Sequence, residues 1–203
     1  MRRIGLDALL GSEAERSALA AALRAGGLAA LPTETFYGLA ADPRSGPGVR
    51  RALAMKRRGD EKPLPVLFGA REQLAGLGVA APAETLDRFF GIWPAPLTVV
   101  LPLSRPIPAS LGGATLAVRV PAHAGLLALL RAVGPVTGSS LNRTGEPPCE
   151  SADAIERLFA REIDVLVDGG PSPGGLPTTL VDATADPPRV LRQGAFAWPP
   201  ASA

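Results

Sequence analysis

Lys56, Arg57, Arg58 and Lys62 form a basic run ahead of Pro63-Leu64, with Arg50 and Arg51 one or two helical turns before it. An ammonium is a compact point charge and a guanidinium a planar fork, and together they suit phosphate and carboxylate oxygens. Both lysines of a chain with 21 Lys and Arg residues fall in this stretch. A solvated helix end, where cations offset the macrodipole, is the competing reading. A second group is Ser139, Ser140, Asn142 and Thr144, whose hydroxyl and amide groups follow a short apolar strand; they suit either a ligand or a bare turn. The third candidate is Arg119, a charge inside the apolar run Ala117-Val118-Arg119-Val120. A buried arginine needs an anion, supplied by a structural carboxylate or by a ligand.

His123 and Cys149 are single residues of their types. A lone histidine next to an apolar helical run reads as a helix start rather than a general base, and Cys149, between Pro148 and Glu150, reads as a loop thiol. With one of each, the chain has no set of ligands for a structural zinc and no pair for an intramolecular disulfide. The common phosphate loops, G-x-x-x-x-G-K-[ST] and G-x-G-x-x-G, are also missing. Nucleotide binding would need another device.

The elements that must position these groups follow from capping and periodicity. Ser12 followed by Glu15 is a capping box that opens a helix to about Arg24, ended by Gly26-Gly27. Residues 28–31 read as a strand, and the polar segment 32–39 lies at its carboxyl end, where open α/β sheets place ligands. A helix is expected over 45–57, a strand over 64–68, and a helix over 82–93 with Leu86, Phe89, Phe90 and Trp93 on one core-facing stripe. Strands follow at 97–103, 115–120 and 135–139, with a helix over 123–133. Ser151 caps a helix to about Phe159, and strands at 163–167, 178–181 and 190–192 finish the pattern. The fold class is α/β, a single domain over 1–203 with a twisted, mixed open sheet flanked by helices.

The chain has 203 residues, 46% hydrophobic and 20% charged, with a formal net charge of +2. That is the composition of a globular domain with a sizeable core. Near-neutral charge and 4% aromatic residues disfavour an autonomous RNA binder built on many phosphate contacts and base stacking. Neither an apolar leader nor a membrane-spanning stretch is visible, so the expected location is cytoplasmic and no membrane partner is expected.

Several segments, in order, resemble the YrdC-like threonylcarbamoyl-adenylate synthase family. They are Pro32-Thr33-Glu34-Thr35-Phe36-Tyr37-Gly38-Leu39, Lys56-Arg57-Arg58 with Pro63-Leu64, Trp93-Pro94-Ala95-Pro96-Leu97-Thr98 and Val118-Arg119-Val120-Pro121. Further along come Ser140-Leu141-Asn142 with Gly145, Asp168-Gly169-Gly170, Thr178-Thr179-Leu180-Val181-Asp182 and Leu191-Arg192-Gln193-Gly194. The motif-bearing region runs over about 28–194. The resemblance implies a large, positively lined cleft and a nucleotidyltransferase that joins L-threonine, bicarbonate and ATP into threonylcarbamoyl-AMP and pyrophosphate, for modification of tRNA. It implies that Lys56 and Arg58 are catalytic and bind ATP, that Ser140, Asn142 and Arg192 serve the nucleotide, and that Thr33, Tyr37, Arg119 and Thr178 shape the threonine side. Mg²⁺ would arrive with the ATP phosphates, with no dedicated protein ligands. Downstream proteins would transfer the threonylcarbamoyl group, and tRNA itself would bind at most weakly.

Three positions depart from the family pattern: Leu141 where it usually has Ala, Lys62 where Asn is frequent, and Thr178 where Ser is common. The larger Leu141 and Thr178 side chains have the size to narrow the pocket; the alternative for Leu141 is that it points into the core beneath the loop. The alternatives are a paralogue with another nucleotide- or RNA-linked activity, and a non-catalytic RNA-binding module.

Overall fold

The computed structural model describes residues 1–56 and 62–198. It opens with β1 (Arg2–Gly5) and α1 (Leu6–Gly11), then the expected capped helix, α2 (Glu13–Arg24). Ser12 Oγ accepts from the Glu15 N–H at 3.3 Å, which satisfies one of the orphan donors of the first turn. At the far end Gly26 takes φ +92°, and a Cβ there would also meet Pro47 at 3.1 Å. Only glycine turns the chain there without strain.

The chain continues through β2 (Ala29–Leu31), β3 (Gly38–Ala40), α3 (Gly46–Lys56) and β4 (Val66–Leu67). Next are α4 (Gln73–Gly76), α5 (Ala83–Phe90), β5 (Leu97–Pro102), β6 (Thr115–Arg119) and α6 (Ala124–Val133). It ends with β7 (Val136–Thr137), β8 (Ser139–Ser140), α7 (Ala152–Phe159), β9 (Val165–Asp168), β10 (Thr179–Asp182) and β11 (Arg189–Arg192).

The α/β class and the mixed strand directions are as expected, but there are two sheets rather than one. The first has the order β1-β9-β2-β3-β8 and the second β11-β10-β5-β6-β4-β7. The single strand expected over 135–139 is split between them: β7 pairs antiparallel with β4, and β8 pairs antiparallel with β3. Gly138 lies at the break, where a Cβ would sit 2.4 Å from Leu67 Cγ. Thr137 ties the two sheets together: its N–H donates to Ala41 O at 2.8 Å, while its Oγ1 accepts from Ala41 N–H at 2.9 Å.

One buried apolar cluster is shared by both sheets, running from Leu39 and Leu166 to Val66, Val99, Val118 and Val181. Helices α3 and α5 add Val49, Ala52, Leu53 and Phe89 to it, with Trp93 just beyond α5. Of the expected stripe, Phe89 and Trp93 are buried, and Leu86 and Phe90 pack partly buried against the same cluster. A second cluster joins α1, α2 and α6 through Leu9, Leu19, Leu23, Leu126 and Leu130. Among the described residues no helix is long and apolar enough to cross a membrane.

The strand β1 carries one apolar side chain of any size, Ile4, and is held by polar contacts at its edge. Arg3 donates to Asp168 Oδ2 from Nε at 3.1 Å and from Nη2 at 2.7 Å, and from Nη1 to Asp153 at 2.7 Å and Glu156 at 2.9 Å. The Gly170 N–H, and then Arg3, hold the Asp168 carboxyl below its usual value. A carboxyl depressed in the folded state contributes stability that is present above its unfolded value, about 3.9, and is lost as pH falls through the folded value. Arg3→Ala should therefore lower the melting temperature at neutral pH, and the gap from the parent should close as the pH drops below about 4. Thermal melts across that range check this; a gap independent of pH would contradict it.

Candidate functional site

A cavity of about 510 Å³ is lined by both sheets and by the loops at their ends. Its wall includes Thr33, Thr35, Lys56, Arg119, Ser140 and Thr178. Lys62 and Arg192 bring the cations among the described lining residues to four, and no carboxylate is among those residues. The segment after β2 does reach the site from the strand's carboxyl end, although β3 begins within it at Gly38, because Gly38–Ala40 pairs antiparallel with Ala29–Leu31.

Lys56 is the last residue of α3 and is buried, 4% exposed. Its Nζ donates to Ser140 O at 2.6 Å and to Asn142 Oδ1 at 2.8 Å. Ser140 Oγ donates to the same Oδ1 at 2.8 Å, which turns the Asn142 amide nitrogen to Glu146 O at 2.7 Å. Thr144 N–H completes the link by donating to Lys56 O at 3.0 Å. Three residues predicted for the nucleotide side, from α3, from β8 and from the loop after it, thus form one network. Charged hydrogen bonds of this kind are about twice as strong as neutral ones. Arg58, the other residue expected to be catalytic, lies outside the described residues.

Arg192, on the exposed edge strand β11, forks onto Thr178 O from Nε at 3.2 Å and Nη2 at 2.9 Å. Thr178 Oγ1 is 2.9 Å from Thr98 Oγ1, a buried hydroxyl on β5 that also lines the cavity. Thr98 was not among the expected site residues, yet a lone hydroxyl in the apolar run 97–103 was the signal for it. Buried hydroxyls need partners, and a strand residue facing core would be apolar.

Thr33 Oγ1 donates to Phe36 O at 2.7 Å and accepts from Thr35 N–H at 3.1 Å, so it shapes the 33–36 turn from inside. The Tyr37 side chain is fully buried. Its hydroxyl donates to Gly170 O at 2.7 Å and accepts from Gly169 N–H at 3.2 Å, and burial pushes that hydroxyl's pKa up. Its phenol therefore fastens the 168–170 turn, while the residue still contributes to the cavity wall. Arg119 is buried and donates from Nη1 to Glu34 Oε1 at 2.6 Å, so a carboxylate of the chain meets the demand raised by its burial.

His123 caps α6, its Nδ1 accepting from Leu126 N–H at 3.1 Å, as expected of a helix-start histidine. Cys149 is buried, and burial, followed by Glu146, pushes its thiol up, away from nucleophilic use. Leu141 is fully buried in the shared cluster with Tyr37 and Leu39, its N–H on Tyr37 O at 2.8 Å. Of the two readings for Leu141 the core-facing one holds: it is not among the cavity's lining residues, and the chain between Ser140 and Asn142 turns that side chain into the core. Thr178 does stand on the wall.

The chain as a whole is similar to known proteins. A family profile described as "Telomere recombination", Sua5_yciO_yrdC, matches residues 21–194. A protein of Halorhodospira halophila named threonylcarbamoyl-AMP synthase is 40% identical over 168 residues, 80% of this chain and 87% of its own length. One of the same name from Coxiella burnetii is 36% identical over 165 residues, 79% of this chain and 88% of its own. The crystal structure of P. abyssi Sua5 complexed with L-threonine superposes with a TM-score of 0.80 at 35% identity, covering 90% of this chain and 55% of that longer one.

Proposed function

We propose, from the premise that the chain belongs to the Sua5/YciO/YrdC family, that it is an L-threonylcarbamoyladenylate synthase. The observation that carries this reading is one cavity whose described wall joins Ser140 and the 33–37 turn with four cations, Lys56 among them, and no carboxylate. The reaction must bring anions together. Threonine's amine adds to bicarbonate with loss of water, giving N-carboxythreonine. The new carboxylate oxygen then attacks the α-phosphorus of ATP; a P–O bond forms, the α–β anhydride breaks, and pyrophosphate leaves with the electron pair.

Nothing in the second step calls for a general base, since the attacking carboxylate is already ionised. Catalysis reduces to positioning and to fixed positive charge where the leaving group develops its own. We assign Lys56 and Arg58 to the phosphates and the reacting carboxylate, and Ser140, Asn142 and Arg192 to the nucleotide. Thr33, Tyr37, Arg119 and Thr178 bound the threonine side, Tyr37 through its hold on the 168–170 turn. Magnesium comes with the substrate, on the ATP phosphates. The adenylate passes to proteins that transfer the threonylcarbamoyl group to tRNA. We place the enzyme in the cytoplasm, where those substrates meet, and expect weak tRNA binding by the chain alone.

Pyrophosphate release should require threonine and bicarbonate together, with serine a poorer substrate and added tRNA without effect. A coupled pyrophosphate assay checks this. Equal ATP cleavage with either co-substrate omitted would overturn the reading, and tight, salt-sensitive tRNA binding without ATP turnover would favour an RNA-binding module.

A further inference from the structure

Glu34 and Arg119 form a buried ion pair that is incomplete on both sides. Only 6% of the Arg119 side chain and 16% of the Glu34 side chain are exposed. Guanidinium and carboxylate can share two parallel N–H···O bonds. Here a single bond joins them, from Nη1 to Oε1 at 2.6 Å, and buried Glu34 Oε2 has no hydrogen-bond partner among the described residues. A buried acceptor left unmade is unfavourable, and a pair serving stability alone would turn the fork to use it. Burial lowers the pKa of the guanidinium, and Glu34 opposes that fall. Among the described residues no second acceptor takes an N–H from Arg119. Arg119 lines the cavity and Glu34 does not.

We propose that Glu34 is a positioning residue, which holds Arg119 by one N–H so that the free edge of the guanidinium faces the cavity and grips a carboxylate of the substrate. The proposal rests on the synthase reading, in which that carboxylate belongs to the amino acid. Glu34 touches no substrate. Its negative charge balances the buried guanidinium and keeps it aimed, and the three cations elsewhere on the wall, Lys56, Lys62 and Arg192, are left for the phosphates.

The test is calorimetric binding of threonine and of ATP, measured separately, to the parent, Glu34→Gln, Arg119→Lys and the double variant. Glu34→Gln keeps the shape and removes the charge. It should weaken threonine binding by about tenfold or more while the ATP affinity stays close to the parent's, and it should lower the melting temperature, since Arg119 is left buried without its counter-charge. The double variant should bind threonine no more weakly than Arg119→Lys alone, because a residue that acts through another adds nothing once that other is changed. Should Glu34→Gln fold poorly, Glu34→Asp keeps the charge at shorter reach and should show the same selective loss. Unchanged threonine affinity, parallel loss of both ligands, or additive losses in the double variant would overturn the proposal. A parent that binds ATP but no threonine would instead overturn the synthase reading.

Discussion

Lys56→Ala is expected to lower turnover by roughly 10²–10³-fold, the usual consequence of removing one fixed charge from a site that stabilises developing anions. The effect has two sources. The ammonium itself disappears from the cavity wall, and the groups it organised, Ser140 O and Asn142 Oδ1 at 2.6 and 2.8 Å, lose a charged donor. Because Ser140 Oγ also donates to Asn142 Oδ1, that loop should persist but with looser aim. Lys56→Arg separates charge from geometry: a planar fork cannot sit as a compact ammonium does between those two acceptors, so most of the loss should remain. Steady-state kinetics with melting curves decide the matter. Parental turnover in Lys56→Ala would show that the network only ends a helix.

Leu141→Ala carries the largest expected effect on stability. The side chain is fully buried in the cluster shared by both sheets, and truncation should cost roughly 2–5 kcal/mol, transfer and cavity terms together. The apparent affinity for threonine should not change, since the side chain is directed away from the cavity. Urea unfolding and threonine titration measure the two separately. A severalfold gain of activity on threonine, with little loss of stability, would mean that Leu141 obstructs the pocket and that a different substrate is native.

Local signals carried much of the fold. Ser12, Ser151 and His123 each mark a helix start by a side-chain acceptor, and all three do cap. The apolar runs of β5 and β6 are likewise readable because both are buried strands bounded by proline or glycine. What escaped depends on partners distant in sequence. Strand β1 has the sequence Arg2-Arg3-Ile4-Gly5, without alternation, and exists because it pairs in parallel with β9. The division into two sheets turns on Gly138 packing against Leu67, which no local pattern reveals.

The site was legible to a similar depth. Lys56, Ser140 and Asn142 were singled out from residue type and do converge, but the hydrogen bonds that join them span 84 and 86 positions. That Arg119 would need an anion followed from its place in an apolar strand. That the anion is Glu34, 85 positions away and with one oxygen unmade, required the fold.

The most direct measurement is mass spectrometry of the product formed from ATP, Mg²⁺, L-threonine and ¹³C-labelled bicarbonate. The expected result is threonylcarbamoyl-AMP carrying one labelled carbon, formed with pyrophosphate in equal amount and without tRNA. An adenylate of unlabelled threonine, or ATP split with no threonine-containing product, would contradict it.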